Sequence, residues 1–253
     1  MKYMKKGRDH FLFLDKSLFF PEKGILVIGD LHLGYDYMLQ EAGFLAPQEQ
    51  IKEVKKEIKN IIEQIIKSGK LLKKIVFIGD IKHSFSYNKK EKSYFKEIYL
   101  FLQKYVNEKD ILLVKGNHDT IDYSYGDKLR DYFIIGDIAF THGHKMIEEV
   151  FNKKIKIIII GHLHPSVILS EKKGVKREKY KCFLVGKFKN KKIIVMPSFL
   201  STIEGTTVNN LKEDYEDYFS FIPKKALSKF KVFIIGENET YDFGVLNKIQ
   251  IKD

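Results

Sequence analysis

Cysteine is almost absent from this chain, since Cys182 is the single cysteine among 253 residues. An internal disulfide bond is therefore excluded, and so is a zinc site of the Cys-x-x-Cys kind. No apolar run approaches the roughly 20 residues that a membrane-spanning helix needs, and the N-terminus lacks the layout of a secretory signal peptide. We expect a protein of the reducing cytoplasm with no membrane segment.

Arginine is also scarce. The formal net charge is +12, yet the 45 basic residues include only Arg8, Arg130 and Arg177 as arginines. A basic surface is typical of nucleic-acid partners, because cations displace the counterions of phosphate groups. The lysines are scattered in short pairs, however, which favours a solvated surface of the kind found in heat-adapted proteins. Charge alone leaves a nucleic-acid substrate open.

Five segments share one design, in which an apolar run ends at a glycine or a tight turn and polar residues follow at once. The β-branched runs predict buried strands, and open α/β sheets bind ligands at the carboxyl ends of such strands. Between the first three segments, apolar residues at helical spacing predict crossover helices at 51–66 and 95–102, so that the strands run parallel. The five segments are ILVIGDLH (25–32), IVFIGD (75–80), ILLVKGNHD (111–119), IAFTHGH (138–144) and IKIIIIGHLH (155–164).

Hairpins dominate the second half of the sequence. The predicted strand pairs are 132–135 with 138–141, 181–188 with 193–196, and 232–235 with 241–245. Hairpins added to a parallel half predict an α/β fold, a four-layer α/β/β/α sandwich of two mixed β-sheets flanked by helices. No repeat or linker divides the chain, so we expect one domain over 1–253, with a small insertion or cap over the site at 201–229.

Histidine is concentrated at the predicted strand ends. A Gly-Asp pair alone is commonly a turn, and Asn117-His118-Asp119 is compatible with an Asx turn. The GHxH segment favours a shared metal, because its two histidines stand at strand spacing and have no apolar role. Taken together, the motifs indicate a metal site. Of the eight histidines, the six that lie in the five segments are His32, His118, His142, His144, His162 and His164.

The ordered set D-x-H, GD, GNHD, HG and GHxH resembles the calcineurin-like metallophosphoesterase superfamily over roughly the first two thirds of the chain. The resemblance implies a site for two metal ions, in which His118 matches the catalytic histidine of the family. The ligands that it implies are Asp30, His32 and His164 for one ion, Asn117, His142 and His162 for the second, and Asp80 as a bridge between them.

The chemistry of these side chains agrees with the resemblance. Imidazole ligands favour Mn, Fe, Zn or Ni over Ca or Mg, and we expect two Mn²⁺ ions, with Fe, Zn or Ni as alternatives. Two ions roughly 3.5 to 4 Å apart acidify a bridging water, and the resulting hydroxide attacks phosphorus. His118, which is not among the ligands, is the candidate general acid. Asp119 either orients a histidine or caps its turn, the cap being favoured, while His83 and His144 are expected to surround the metals or contact the substrate.

Two longer runs narrow the resemblance. GDLHLG (29–34) and GDIKHSF (79–85) are similar to archaeal phosphoesterases related to the nuclease SbcD and to bacterial DNA-ligase-associated phosphoesterases. Phosphoprotein phosphatases carry GDxxDRG instead, whereas this chain has His83 and no arginine there. The resemblance implies a phosphodiesterase, and specifically a nuclease acting on DNA. A phosphoesterase for a small nucleotide or another soluble ester is the alternative. A non-catalytic metal-binding scaffold is the weakest hypothesis, because each of the seven positions that the resemblance implies has a residue able to bind metal.

Overall fold

The computed structural model of the chain describes residues 10–45, 47–119, 129–169, 177–210, 220–237 and 239–249. The strands of its first sheet are β1 (Leu12–Leu14), β2 (Ser17–Phe20), β3 (Ile25–Ile28), β4 (Lys74–Phe77), β5 (Ile111–Val114) and β6 (Leu129–Arg130), paired in that order. The first three strands pair antiparallel, and β3 to β6 run parallel. The predicted parallel half is therefore confirmed, and the short β1–β2 hairpin that precedes it was not predicted.

In the described part of the chain, the α-helices between strands of this sheet are α1 (Tyr35–Glu41), α2 (Gln50–Lys67) and α3 (Lys89–Leu102). The crossover helices α2 and α3 were predicted, whereas the short α1 was not. The isoleucines of α2 form a buried stripe, and Ile58 and Ile62 have no exposed surface. Gly69 follows the helix with a φ of 72° and donates its N–H to the Ile66 carbonyl. The helix therefore ends at a residue in the left-handed conformation, which glycine adopts more easily than other residues.

The second sheet is mixed. Its strands are β7 (Tyr132–Ile135), β8 (Ile138–Thr141), β9 (Ile157–Ile160), β10 (Pro165–Leu169), β11 (Glu178–Phe188), β12 (Lys191–Val195), β13 (Thr206–Thr207), β14 (Lys231–Ile235) and β15 (Thr240–Val245). All three predicted hairpins are present, while β9 runs parallel to both β8 and β12. The β11–β12 turn is tighter than predicted. Lys189 and Asn190 both have positive φ, which is typical of a two-residue hairpin turn.

The two sheets pack face to face through apolar side chains. Val27 and Val76 of the first sheet belong to the same buried cluster as Phe140, Ile159 and Phe183 of the second. Helices α2 and α3 cover the other face of the first sheet. The structure is thus the predicted sandwich of two mixed sheets with flanking helices.

Among the described residues, the outer layer over the second sheet is built from short helices. It includes two 3₁₀ helices, Glu148–Phe151 and Leu246–Lys248, and the four-residue α4 (Lys224–Leu227). Val150 and Leu227 lie buried in the cluster on this face. The central part of the predicted insertion, residues 211–219, lies outside the described residues, so the insertion stays a prediction, as does the single domain. Within the described ranges, no helix combines the length and the apolar character required to cross a membrane.

Candidate metal centre

The loops that follow β3 and β4 run side by side at one edge of the first sheet. Asp30 donates its backbone N–H to the Gly79 carbonyl over 3.2 Å, and His32 donates to the Asp80 carbonyl over 2.9 Å. The loops after β8 and β9 are joined in the same way, because Gly161 donates to the His142 carbonyl over 2.9 Å. Strand ends from both sheets therefore meet at one place, as the sequence motifs predict.

Backbone strain marks this place. Among the described residues, eight that are not glycine have a positive φ, and five of them are predicted ligands. For such side chains the left-handed conformation is uncommon, and it persists only where the surrounding structure imposes it. The loops are therefore shaped to turn side chains towards a common centre. The five are Asp30, His32, Asp80, His162 and His164.

The first ligand cluster joins four predicted residues: Asp30, His32, Asp80 and His164. One candidate ligand atom from each lies within 4.8 Å of the others. His164 Nε2 is 3.1 Å from Asp30 Oδ1 and 3.3 Å from His32 Nε2. Two carboxylates and two imidazoles in this arrangement can hold one divalent transition-metal ion.

The second ligand cluster joins Asp80 with His142 and His162, again with ligand atoms within 4.8 Å of one another. Asp80 Oδ2 is 3.3 Å from His142 Nε2, and the same nitrogen is 2.9 Å from Asn117 Oδ1. The amide oxygen of Asn117, which the sequence predicts as a ligand, therefore lies next to this cluster. Asp80 belongs to both clusters, which is the position that a bridging carboxylate requires.

A buried oxygen without a partner tests whether the site fits a metal. Asp30 is fully buried, and its Oδ2 has no hydrogen-bond partner within the described part of the chain. The neighbouring Gly161 leaves room for this oxygen, since a Cβ there would collide with it. A buried carboxylate oxygen is costly unless it is paired or bound to a cation. The first ligand cluster therefore fits a metal ion.

The charges and pKa values of the residues in the two clusters also favour binding of a cation. Burial alone would raise the pKa of Asp30, but the adjacent His164 holds it below the usual value. Burial opposes protonation of His142 as well, yet the carboxylate of Asp80 raises its pKa to about 9. Burial lowers the pKa of His162 to about 4, so this ring is neutral and able to ligate. A bound cation replaces the proton that the carboxylates otherwise attract.

His118 stands beside both clusters. Its backbone N–H donates to Asp80 Oδ1 over 2.9 Å, and its Nδ1 donates to the His83 carbonyl over 2.5 Å. Its Nε2 is then left facing the centre, 3.9 Å from Asp80 Oδ2. His32, His83 and His118 also form a third group whose ligand atoms lie within 4.8 Å of one another.

The three remaining predicted residues surround the centre. Asp119 accepts N–H groups from Gly116 over 2.9 Å and from Ile81 over 3.2 Å, which favours the turn-capping role. His83 packs against His32, with ring centroids 5.4 Å apart. His144 lies 5.3 Å from His142 by the same measure, and it is not part of the three ligand groups found among the described residues.

Sequence reasoning missed several residues that support the centre. Gln50, the first residue of α2, accepts the Gly34 N–H over 2.9 Å and donates to the His32 carbonyl over 2.8 Å. Ser198 donates to the Asp30 carbonyl over 3.1 Å. Glu91, fully buried, accepts the backbone N–H of Ser84 over 2.7 Å. Only Glu91 had a sequence signal, since Asn88-x-x-Glu91 is a helix-start pattern.

Solved structures resemble this fold. The nuclease MPE of Pseudomonas putida matches with a TM-score of 0.59 and 14% identity, covering 92% of this chain and 94% of the other. A Vps29 variant of Entamoeba histolytica matches with a TM-score of 0.38 and 15% identity, covering 87% and 99%. A predicted phosphoesterase of Streptococcus pneumoniae matches with a TM-score of 0.35 and 14% identity, covering 87% and 95%. No curated protein matches the chain in sequence.

A sequence model of the calcineurin-like phosphoesterase family matches residues 24–238. This range spans most of the chain and contains every predicted ligand. The chain therefore belongs to the calcineurin-like phosphoesterase family and is a metal-dependent phosphoesterase.

Proposed function

We propose that this protein hydrolyses phosphodiester bonds with two transition-metal ions and that it acts on DNA as a nuclease. The observation that carries the proposal is the position of Asp80, whose carboxylate belongs to two ligand clusters at once. A shared carboxylate is what a pair of ions roughly 3.5 to 4 Å apart requires. We place the protein in the cytoplasm, because its single cysteine is buried and unpaired.

The ligands are assigned by cluster. Imidazole-rich clusters with carboxylates suit Mn, Fe, Zn or Ni, and we propose Mn²⁺. When bound, the two ions activate a water molecule as the nucleophile and neutralise charge on the phosphate oxygens. Asp30, His32 and His164 would hold the first ion, Asn117, His142 and His162 would hold the second, and Asp80 would contact both.

His118 is assigned to proton transfer. Because the His83 carbonyl accepts the hydrogen bond from Nδ1, Nε2 is the ring atom that faces the centre. In the protonated ring, Nε2 carries the proton that a leaving alkoxide needs. His118 thus acts as general acid, and the hydrogen bond from its own backbone N–H to Asp80 fixes its position.

DNA is proposed as the substrate for two reasons. The formal net charge of +12 suits a polyanion, and the nuclease from Pseudomonas putida shares the fold. A small soluble ester needs one phosphate contact rather than many, so the two substrate classes differ in their dependence on salt.

The test is an assay with added Mn²⁺ on a phosphomonoester, a phosphodiester, single-stranded DNA and double-stranded DNA. We expect hydrolysis of the diester and of at least one form of DNA, and loss of both activities in Asp80→Asn. Hydrolysis of the diester without cleavage of DNA would favour a small soluble ester as substrate. Metal binding without hydrolysis of any substrate would favour a scaffold and overturn the proposal.

A further inference from the structure

An exposed aromatic ring covers the proposed general acid. Phe85 lies in the segment between β4 and α3, and its ring stacks on that of His118, with centroids 4.2 Å apart and planes 27° apart. Phe85 is nevertheless 58% exposed. A ring that packed only to stabilise the fold would normally bury most of its apolar surface.

The segment that carries Phe85 is held in place on both sides. His83 donates its N–H to the Leu33 carbonyl over 3.1 Å, and Ser84 donates to Glu91 Oε1 over 2.7 Å. Beyond Phe85, the side chain of Asn88 caps α3 by accepting two backbone N–H groups. The backbone on both sides of Phe85 is therefore anchored, and such preorganisation favours binding because little backbone entropy is lost when a ligand arrives.

We infer that Phe85 forms a stacking subsite for the base of the leaving nucleoside, an inference that rests on the proposed function. The general acid must lie next to the leaving oxygen, so the group that carries this oxygen lies next to His118. The ring of Phe85 stacks on His118 at a centroid distance of 4.2 Å and is thus beside the leaving group. The flat rings of nucleobases stack on aromatic side chains whatever their sequence.

The contact with His118 suggests a second role for Phe85, as a wall that merely positions the imidazole. The two roles affect different kinetic constants. A stacking subsite contributes to binding of a substrate that has a base, so its loss raises KM for that substrate. A positioning wall acts on proton transfer, so its loss lowers kcat for every substrate with a poor leaving group and changes the pH profile.

The experiment compares two dinucleotides that differ by one base. Both have the same phosphodiester and the same leaving sugar, but in the second dinucleotide the leaving sugar is abasic. For Phe85→Leu we expect KM to rise roughly 10-fold to 100-fold on the complete dinucleotide, with a much smaller change on the abasic one. Phe85→Trp should restore most of the preference, because it restores a stacking ring. Phe243→Leu is the control, since Phe243 is an exposed phenylalanine on β15 of the second sheet.

Each contrary outcome is distinct. Equal rises in KM on both dinucleotides, or a fall in kcat on both with a changed pH profile, would overturn the stacking subsite while leaving the proposed function intact. Failure of the wild-type protein to cleave the dinucleotides, the model diester and DNA alike would overturn the proposed function and the subsite with it, whereas cleavage of DNA with no preference for the complete dinucleotide over the abasic one would overturn the subsite alone.

Discussion

At the scale of single residues, Asp80 is the carboxylate that the two ligand clusters share. Its Oδ1 accepts the backbone N–H of His118, and its Oδ2 lies 3.3 Å from one imidazole of the second ligand cluster. Burial alone would raise the pKa of Asp80, but the neighbouring His142 and His32 hold it well below the usual range. The side chain is therefore a carboxylate in the folded protein, ready to contact two cations.

We predict that Asp80→Asn weakens metal binding at both positions, because an amide offers one neutral oxygen where the carboxylate offers two charged ones. Metal content per chain after dialysis against Mn²⁺ measures the effect. Asp30→Asn is the matched control, since Asp30 belongs to the first ligand cluster only. It should weaken one position and spare the other. Full occupancy of both positions in Asp80→Asn would contradict the bridging assignment.

For His118 we predict a change in chemistry without a change in metal binding. His118→Ala should lower kcat by roughly 10² to 10⁴ on an alkyl diester, the usual contribution of a general acid. A nitrophenolate leaves without a proton, so the loss on a nitrophenyl diester should be much smaller.

Asn117→Ala provides the comparison for this prediction, because it removes a ligand and should impair both substrates alike. If His118→Ala lowered kcat equally on both substrates and retained both metals, His118 would act by electrostatic stabilisation of the transition state rather than by proton transfer. Loss of metal in His118→Ala would show that it is a ligand.

At the scale of elements, the first turn of α2 supports the loop after β3. Gln50 is 5% exposed and bonds two buried backbone groups of that loop, the Gly34 N–H and the His32 carbonyl. We predict that Gln50→Leu lowers the free energy of unfolding by about 1 to 3 kcal/mol, the cost of leaving the Gly34 N–H without a partner, because the His32 carbonyl keeps the hydrogen bond from the Tyr35 N–H. Urea unfolding measures the change. Gln64→Leu, at an exposed position of the same helix, should stay within about 0.5 kcal/mol of wild type, and a similar loss in both variants would refute the role of Gln50.

Elements also show how far the sequence predicts this structure. The strands that end in candidate ligands were predicted because each combines a β-branched run with polar residues at its carboxyl end, as at 25–32 and 155–164. The crossover α2 was predicted because its isoleucine stripe has helical spacing. By contrast, β10 and β13 were not predicted. β10 follows GHxH directly, with no turn signal between them, and β13, with which it pairs, is only two residues long.

The hydrogen bonds that support the site could not be predicted from the sequence, for a different reason. Gln50 and the His32 carbonyl are 18 positions apart in the chain, and Ser198 and Asp30 are 168 apart. Such pairs meet only after the sheets have packed, and no local pattern encodes them. The candidate ligands could be proposed from the sequence because metal chemistry restricts residue types, whereas any polar side chain of suitable length can support a backbone carbonyl.

At the scale of the whole molecule, the charge of +12 has a measurable consequence. If the protein binds DNA through its dispersed lysines, the logarithm of the binding constant should fall linearly with the logarithm of the salt concentration. The slope should be close to −0.9 for each phosphate neutralised on double-stranded DNA, or about −0.7 on single strands. Titration of labelled DNA between roughly 50 and 200 mM salt measures it. The KM of a nitrophenyl diester, which has one phosphate, should change little over the same range. A flat plot for DNA would favour a small soluble substrate.

A half-buried lysine, Lys181, connects distant parts of the fold. Lys181 of β11 donates its Nζ to the Ser198 carbonyl over 2.9 Å and also to the Leu200 carbonyl. The same region holds Lys16, between β1 and β2, whose Nζ is 2.6 Å from Glu57 of α2. The network thus spans both sheets and a crossover helix. Burial, helped by the positive charge of Lys16, lowers the pKa of Lys181 to about 7.

This lowered pKa makes the stability of the whole molecule depend on pH in a defined direction. Between about pH 7 and the ordinary lysine value near 10.4, the unfolded chain keeps a proton on Lys181 that the folded chain has released. Folding is therefore favoured as the pH rises through this window, by at most about 1.4 kcal/mol per pH unit. Below about pH 7 Lys181 is protonated in both the folded and the unfolded chain, and the cost of burying its charge stays constant.

Lys181→Met has no such proton, so the free energy of unfolding of the wild type relative to this variant should increase from pH 7 to pH 9.5. Urea unfolding of the two proteins at half-unit pH steps measures the difference. Parallel curves would show that Lys181 keeps its proton in the folded state, and that the carbonyls of Ser198 and Leu200 compensate for its burial.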